Sequence, residues 1–350
     1  MKRLSIKTSS STNGHFRLNI TPTEIEYLNH GSYIKDDASN VYMGVCINCE
    51  NKLCMEYTPE ELNTPDFNAF PHNTSKRVCP THAIEYNSFT QKVDIISGKC
   101  IACGLCLHRC PTAAIQLNFT HKGCFINHES EIKQECSESA QHEYIETLTT
   151  IEHKVKYTKI PQELADSYQK WVLEASKKIP DVSEIIVRNT LLNMGIPCNT
   201  NAAGNNHMRT EFFGQKNGMV IIGESNSSDK DTLSVSRRIL DDEAVMIGRY
   251  RKEREHIYPL AVLNGLPNKR TDYYEVIHDI NKILGIKIST ITYHILFVLN
   301  LFRIKLRIND FEDFRIDISN MDLLPAVQKH IPNIEIIDAN IDSMSYKPIK

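Results

Sequence analysis

Cysteine is the residue type whose spacing speaks first to chemistry in this chain. Eight of its eleven cysteines fall into two runs. The later run is Cys100-x2-Cys103-x2-Cys106-x3-Cys110, followed at once by Pro111. The earlier run is looser: Cys46-x2-Cys49-x4-Cys54, a long gap, then Cys79-Pro80. Thiolates are soft ligands that suit iron–sulfur clusters, and three of them on a tight loop can hold three corners of a cubane. Paired C-x2-C knuckles also bind zinc. Two complete runs, each ending in Cys-Pro, favour iron and sulfide over zinc.

Residues 40–118 resemble the two-[4Fe-4S] ferredoxins of bacteria. The likeness extends beyond the thiols to Cys79-Pro80-Thr81-His82-Ala83-Ile84 and Cys110-Pro111-Thr112-Ala113-Ala114-Ile115. In each segment a Cys-Pro leads through a turn into a short apolar stretch. In that family the fourth cysteine of each run ligates the other cluster. The resemblance therefore implies one cluster on Cys46, Cys49, Cys54 and Cys110, and a second on Cys100, Cys103, Cys106 and Cys79. Two features depart from the pattern. The x4 spacing before Cys54 is similar to that of ferredoxin-type electron-transfer subunits. Residues 55–76 are inserted where the family has a short gap, and such a loop is expected to reshape access to a cluster.

The elements that must position a second group of candidates begin near residue 158, where the pattern becomes an α/β alternation. Helices are expected over 161–178, with Trp171 on the apolar side, and over 181–194, capped by Asp181 and stopped by Gly195. Strands follow near 196 and over 208–213 and 219–223. Asn217-Gly218 between the last two is a hairpin signal. A long helix over 230–254 repeats apolar residues at Leu233, Leu240, Ala244 and Ile247. Then come a strand over 258–263, a helix over 272–284, a strand over 286–290 and a helix over 291–302. The stretches 304–308 and 334–337 look β-like, as does 15–20 near the start.

On that frame lie Arg209-Thr210-Glu211 before the hairpin turn and Val220-Ile221-Ile222-Gly223-Glu224-Ser225-Asn226 after it. Their order resembles the PD-(D/E)xK motif of restriction-endonuclease-like nucleases. The resemblance implies that Glu211 and Glu224 hold Mg²⁺ through carboxylate oxygens, with Glu184 on the preceding helix joining them. The metal would stabilise charge on the scissile phosphate and activate water. Asn226 takes the family's lysine position and brings no positive charge; Lys216 or Lys230 could supply one instead. Glu211 stands where the family usually has Asp. The plainer reading makes Glu211 and Glu224 exposed strand-end carboxylates, in a nuclease-like fold that has lost catalysis. His207 stands two residues before Arg209 and is read as structural.

The remaining sequence sets bounds. With 350 residues, 41% apolar and 24% charged, and a net charge of −3, the chain is expected to be α+β with two domains. These are a two-cluster ferredoxin domain over 1–121, an acidic linker or flap over 122–157, and an α/β nuclease-like domain over 158–350. Neither half has the charge excess of a dedicated nucleic-acid binder. Arg237, Arg238, Arg249, Arg251, Lys252 and Arg254 cluster on the long helix. Asp241, Asp242, Glu243, Glu253 and Glu255 interleave with them, as on a solvated, ion-paired face. The apolar stretch 291–304 is too short and polar to span a membrane. No signal-peptide core precedes the cysteines, and ligand thiols fit a reducing cytoplasm. Cys124, Cys136 and Cys198 read as small buried residues. With no nicotinamide or flavin motif, three functions stay open. One is a DNA-acting protein, such as a Mg²⁺-dependent endonuclease, whose clusters are structural or sense redox state. Another is a ferredoxin-type carrier delivering electrons to a partner enzyme, the C-terminal half being a docking scaffold. The last is an interaction protein stapled by its clusters.

Overall fold

The computed structural model describes residues 46, 48–49, 51–63, 67, 69–110, 114–118, 123–126, 128, 162–204, 208–228 and 231–331, and three short strands nearer the N-terminus. Cys136, His207, Lys230, most of 122–157 and the stretch 334–337 lie outside them. The chain forms two compact units. One comprises Met1–Tyr57 and Arg77–Lys156; the other comprises Thr58–Lys76 and Tyr157–Lys350. Both helices and sheets are present, as an α+β chain requires.

The first unit is built of short strands. β1 (Thr8–Ser10) pairs with β2 (Phe16–Leu18), and only β2 falls within the stretch 15–20 expected to be β-like. β3 (Tyr33–Ile34) lies parallel to β6 (Ile115–Asn118), which pairs antiparallel with β7 (Gly123–Ile126). β4 (Ile84–Asn87) and β5 (Lys92–Ile95) form a separate hairpin. Its turn is held by the Asn87 side chain, which accepts from the amides of Phe89 and Thr90. β4 and β6 each begin at the apolar end of a Cys-Pro segment, so the sequence pseudo-repeat is also a repeat of structure. The inserted residues leave and re-enter this unit at one place. Glu56 and Arg77 form a β-bridge, and the Val78 amide donates to the Met55 carbonyl at 2.9 Å.

Thr58–Lys76 itself belongs to the second unit. Its short helix α1 (Pro59–Leu62) starts in a capping box between Thr58 and Glu61. The segment then runs beside β8 (Cys198–Thr200), the edge strand of a five-stranded sheet. His72 bridges Asn201, and the Asn73 amide donates to the Thr200 carbonyl. An exposed edge invites foreign strands, and the insertion covers this one. Phe67 and Phe70 enter the core against Phe213, with ring centroids 5.3 and 5.4 Å away.

The sheet runs β8, β9 (Phe212–Lys216), β10 (Met219–Asn226), β11 (Ile257–Leu263), β12 (Ser289–Thr292). β9 is antiparallel to both neighbours, whereas β10, β11 and β12 are parallel. Lys216 opposite Met219 leaves a two-residue turn, and Asn217 and Gly218 take φ of 54° and 79° there. This is the left-handed pair that a tight hairpin requires. Around the sheet lie α2 (Gln162–Ser176), α3 (Val182–Asn193), α4 (Thr232–Gly248), α5 (Tyr273–Asp279), α6 (Tyr293–Leu301) and α7 (Leu324–His330). Every residue of α6 is buried, which explains why its sequence is apolar on all sides apart from His294 and Asn300.

Four expectations are corrected. Asp181 occupies the N-cap of α3, but its side chain makes no capping bond. Residues 304–308 form no strand; a 3₁₀ segment follows at Ile308–Phe314. The long helix stops at Gly248, so Arg249, Arg251, Lys252 and Arg254 are not on it. Its buried face is also not the one drawn through Leu233, Leu240, Ala244 and Ile247. Val235, Ile239, Asp242 and Met246 are buried instead, and Ala244 is exposed. The helix is rotated because Asp242 and Glu243 find polar partners inside, so two carboxylates expected in solvent share the inner face.

Candidate functional site

The cysteines of the first unit line two cavities. Cys46, Cys49, Cys54 and Cys110 surround one, with Asn48, Lys52, Leu53, Val93, Ala114, Ile115 and Ile126. Cys79, Cys100, Cys103 and Cys106 surround the other, with Thr81, Ala83, Ile84, Ile95, Ile101, Leu105 and Cys124. Each cavity thus takes three thiols from one run and a fourth from the other. Local geometry repeats as well. The Ala83 amide donates to Cys79 Sγ at 3.1 Å and the Ala114 amide to Cys110 Sγ at 3.2 Å. Asn48 and Ala102, each just before the second cysteine of its loop, adopt left-handed φ of 49° and 54°. Such backbone is uncommon outside glycine, and it turns each loop around its cavity.

Arg109 brings the Cys110 segment to the first loop. Its guanidinium donates to the carbonyls of Leu53 (2.7 Å) and Glu56 (3.0 Å) and lies 3.9 Å from the centre of the Tyr57 ring. Lys52 fixes the other side by donating to the Cys49 carbonyl at 3.1 Å. The thiols are crowded and largely buried. Burial, followed by the facing thiols, pushes Cys54 and Cys103 well above the ordinary thiol range. Burial also raises Cys46 and Cys79. Cys100 goes the other way, to about 6, because the Cys124 side chain hydrogen-bonds to it. Metal uptake at such a site must displace protons, since thiolate is the ligand.

The donor sets fit a cluster better than a bare ion. No three His, Cys, Asp or Glu side chains among the described residues are placed to grip a single ion. Zinc draws its ligands to about 2.0–2.3 Å from one point. Here the thiols stand around a cavity, as the corners of a larger body require. Of the leftover cysteines, Cys198 is buried on β8 and pushed up to about 12 by burial. Cys124 is buried too, but faces the second cavity.

In the second unit, Glu211 and Glu224 converge on a cation that sequence reasoning assigned to a solvated helix face. Arg238 Nε lies 2.6 Å from Glu224 Oε2, and its terminal nitrogen lies 4.0 Å from Glu211 Oε1. The other Glu211 oxygen accepts from the Ser225 amide (2.7 Å) and hydroxyl (2.5 Å). Phe212 pairs with Gly223, so Glu211 stands level with Glu224 at the open end of the hairpin and contacts both Ser225 and Arg238. Burial and the charges of Glu211 and Asp242 raise Glu224 to about 10. Burial raises Asp242 to about 7. Glu224 Oε1 and Asp242 Oδ2 have no conventional donor. The two carboxyls interact, and burial favours the protonated form of each. Burial, then Glu211 and Asp181, lift Glu184 to about 7.

The remaining candidates stand apart. The Asn226 side chain turns into the next loop and accepts from the Ser228 amide at 2.9 Å. Lys216 lies at the turn end of the hairpin, about five strand residues or 17 Å from Glu224, and donates to the Gly195 carbonyl at 2.5 Å. It cannot replace the missing lysine. Asp242 was missed, although its spacing from Ile239 and Met246 puts it on the buried stripe. As placed, Arg238 stands between these carboxylates where Mg²⁺ would have to bind. The ion would have to displace Arg238.

Residues 72–121 match the family of the LdpA Fe-S cluster-binding domain. That span holds Cys79, Cys100, Cys103, Cys106 and Cys110. The chain matches no curated protein and no solved structure. The match and the thiol-lined cavities make this an iron–sulfur protein. Among the described residues, no helix is long and apolar enough to cross a membrane.

Proposed function

We propose that the first unit carries two [4Fe-4S] clusters and exchanges electrons with a partner protein. Its support is the division of eight thiols into two sets of four, each set drawn from both runs. Bound clusters would supply one-electron chemistry. The protein supplies thiolates, amide donors to sulfur, and the Arg109 brace that keeps Cys110 beside the first loop. Seven of these eight cysteines are only partly buried as residues although their thiols turn inward, so the clusters would lie beneath a thin cover of their unit, which a partner can approach.

In this reading the second unit has a restriction-endonuclease-like fold with a closed acidic site. The order helix, hairpin, helix, strand, helix supports the fold. The Arg238 clamp on Glu224 and Glu211 supports the closure. A DNA-cleaving role with Mg²⁺ on Glu211 and Glu224 is the second reading, favoured by the convergence of those two carboxylates.

Ligand exchange tests the main reading. Replacing Cys79 with Ala should remove the same cluster signal as replacing Cys103, and lower iron from about eight to about four atoms per chain. If Cys79→Ala instead removes the signal lost in Cys49→Ala, the division of ligands is wrong. Mg²⁺-dependent DNA cleavage that disappears in Glu224→Gln would establish the second reading.

A further inference from the structure

The two cavities differ at one strand. β7 presents Cys124 to the cavity of Cys79, Cys100, Cys103 and Cys106, and Ile126 to the cavity of Cys46, Cys49, Cys54 and Cys110. These residues are two apart, so they share a face of the strand. The Cys124 amide donates to Cys100 Sγ at 3.3 Å. The residue is 6% exposed and lines this cavity together with Cys100 and Cys106. Four thiolates complete a cubane, so a fifth cysteine on the same cavity is left over as a side chain whose S–H can reach cluster sulfur. At the corresponding place in the other cavity, an isoleucine methyl can donate nothing.

We infer that Cys124 hydrogen-bonds the sulfur of the Cys79/Cys100/Cys103/Cys106 cluster and holds that cluster at the higher reduction potential of the two. This rests on the two-cluster reading above. Reduction adds one electron, and the added charge spreads onto cluster and thiolate sulfur. A donor at that sulfur stabilises the reduced form more than the oxidised form, which raises the potential. Cys124 is thus a positioning and tuning residue, not a ligand. Electrons entering the protein would come to rest on its side.

The test is a redox titration of the full chain under anaerobic conditions, with dithionite as reductant and electron paramagnetic resonance as readout. Iron and acid-labile sulfide are counted in parallel. Cys124→Ala should keep about eight irons and lower one cluster's potential while leaving the other unmoved. Cys124→Ser, whose hydroxyl still donates, should stay nearer the wild type. Ile126→Cys should raise the other cluster's potential. Unmoved potentials in Cys124→Ala at full iron content overturn the inference and leave the two-cluster reading intact. Equal shifts in Cys124→Ala and Cys124→Ser also overturn it. Loss of about four irons in Cys124→Ala would make Cys124 a ligand, which equally contradicts the donor role. Wild-type protein without labile sulfide would refute the underlying reading itself.

Discussion

Glu224 is 1% exposed, and the Arg238 guanidinium that meets it lies half in solvent. Its raised folded-state pKa, about 10, means that folding retains a proton the unfolded chain releases near 4.3. The same holds for Glu184 and Asp242, each near 7. Between the unfolded and folded values the native state binds more protons, so stability falls as pH rises. The loss begins above about pH 4 and runs through the folded values. Glu224→Gln removes the largest of these shifts and keeps an amide that can still donate to Asp242. It should raise stability at pH 8 by roughly 1 kcal/mol or more, one pKa unit being worth about 1.4 kcal/mol. It should also flatten the decline. The chain's one tryptophan, Trp171 on α2, gives a fluorescence signal for urea unfolding at each pH. An unchanged slope would show that Glu224 is ionised in the native state.

β10 shows how closely one element is specified. Six of its eight residues are buried, and Gly223 lets Phe212 and β11 approach. A Cβ there would stand 2.2 Å from the Leu260 carbonyl oxygen and 2.3 Å from the Phe212 ring. Gly223→Ala should therefore destabilise the second unit by about 3 kcal/mol, seen as an earlier urea midpoint of the Trp171 signal. An unshifted midpoint would mean that the Phe212 ring yields without cost. Some elements were legible because their signals are local. Asn217-Gly218 marked the hairpin, Gly195 marked the end of α3, and the cysteine spacing marked both loops. The inner face of α4 was not legible. Its buried stripe contains Asp242 and Glu243; Thr210 and Glu224, which receive Asp242, are distant in sequence, and Arg254, which meets Glu243, lies beyond the end of the helix. Nor was the destination of residues 58–76. Phe67 and Phe70 pack on Phe213, and the Ser75 carbonyl accepts from Arg188 at 2.9 Å. Spacing along the chain carries no trace of contacts at such separation.

At the scale of the whole molecule, the chain leaves the first unit at Tyr57 and returns to it at Arg77. The β-bridge of Glu56 with Arg77 closes that excursion, so Cys54 and Cys79 stay in one unit despite the residues between them. The acidic site of the second unit is sealed by its own arginine, and the thiol cavities of the first are the chemistry the molecule offers most plainly. The central claim is that those cavities hold two cubanes. Iron and acid-labile sulfide, measured on full-length protein purified without oxygen, test it most directly. The account predicts about eight of each per chain. Stoichiometric zinc with no labile sulfide would contradict it.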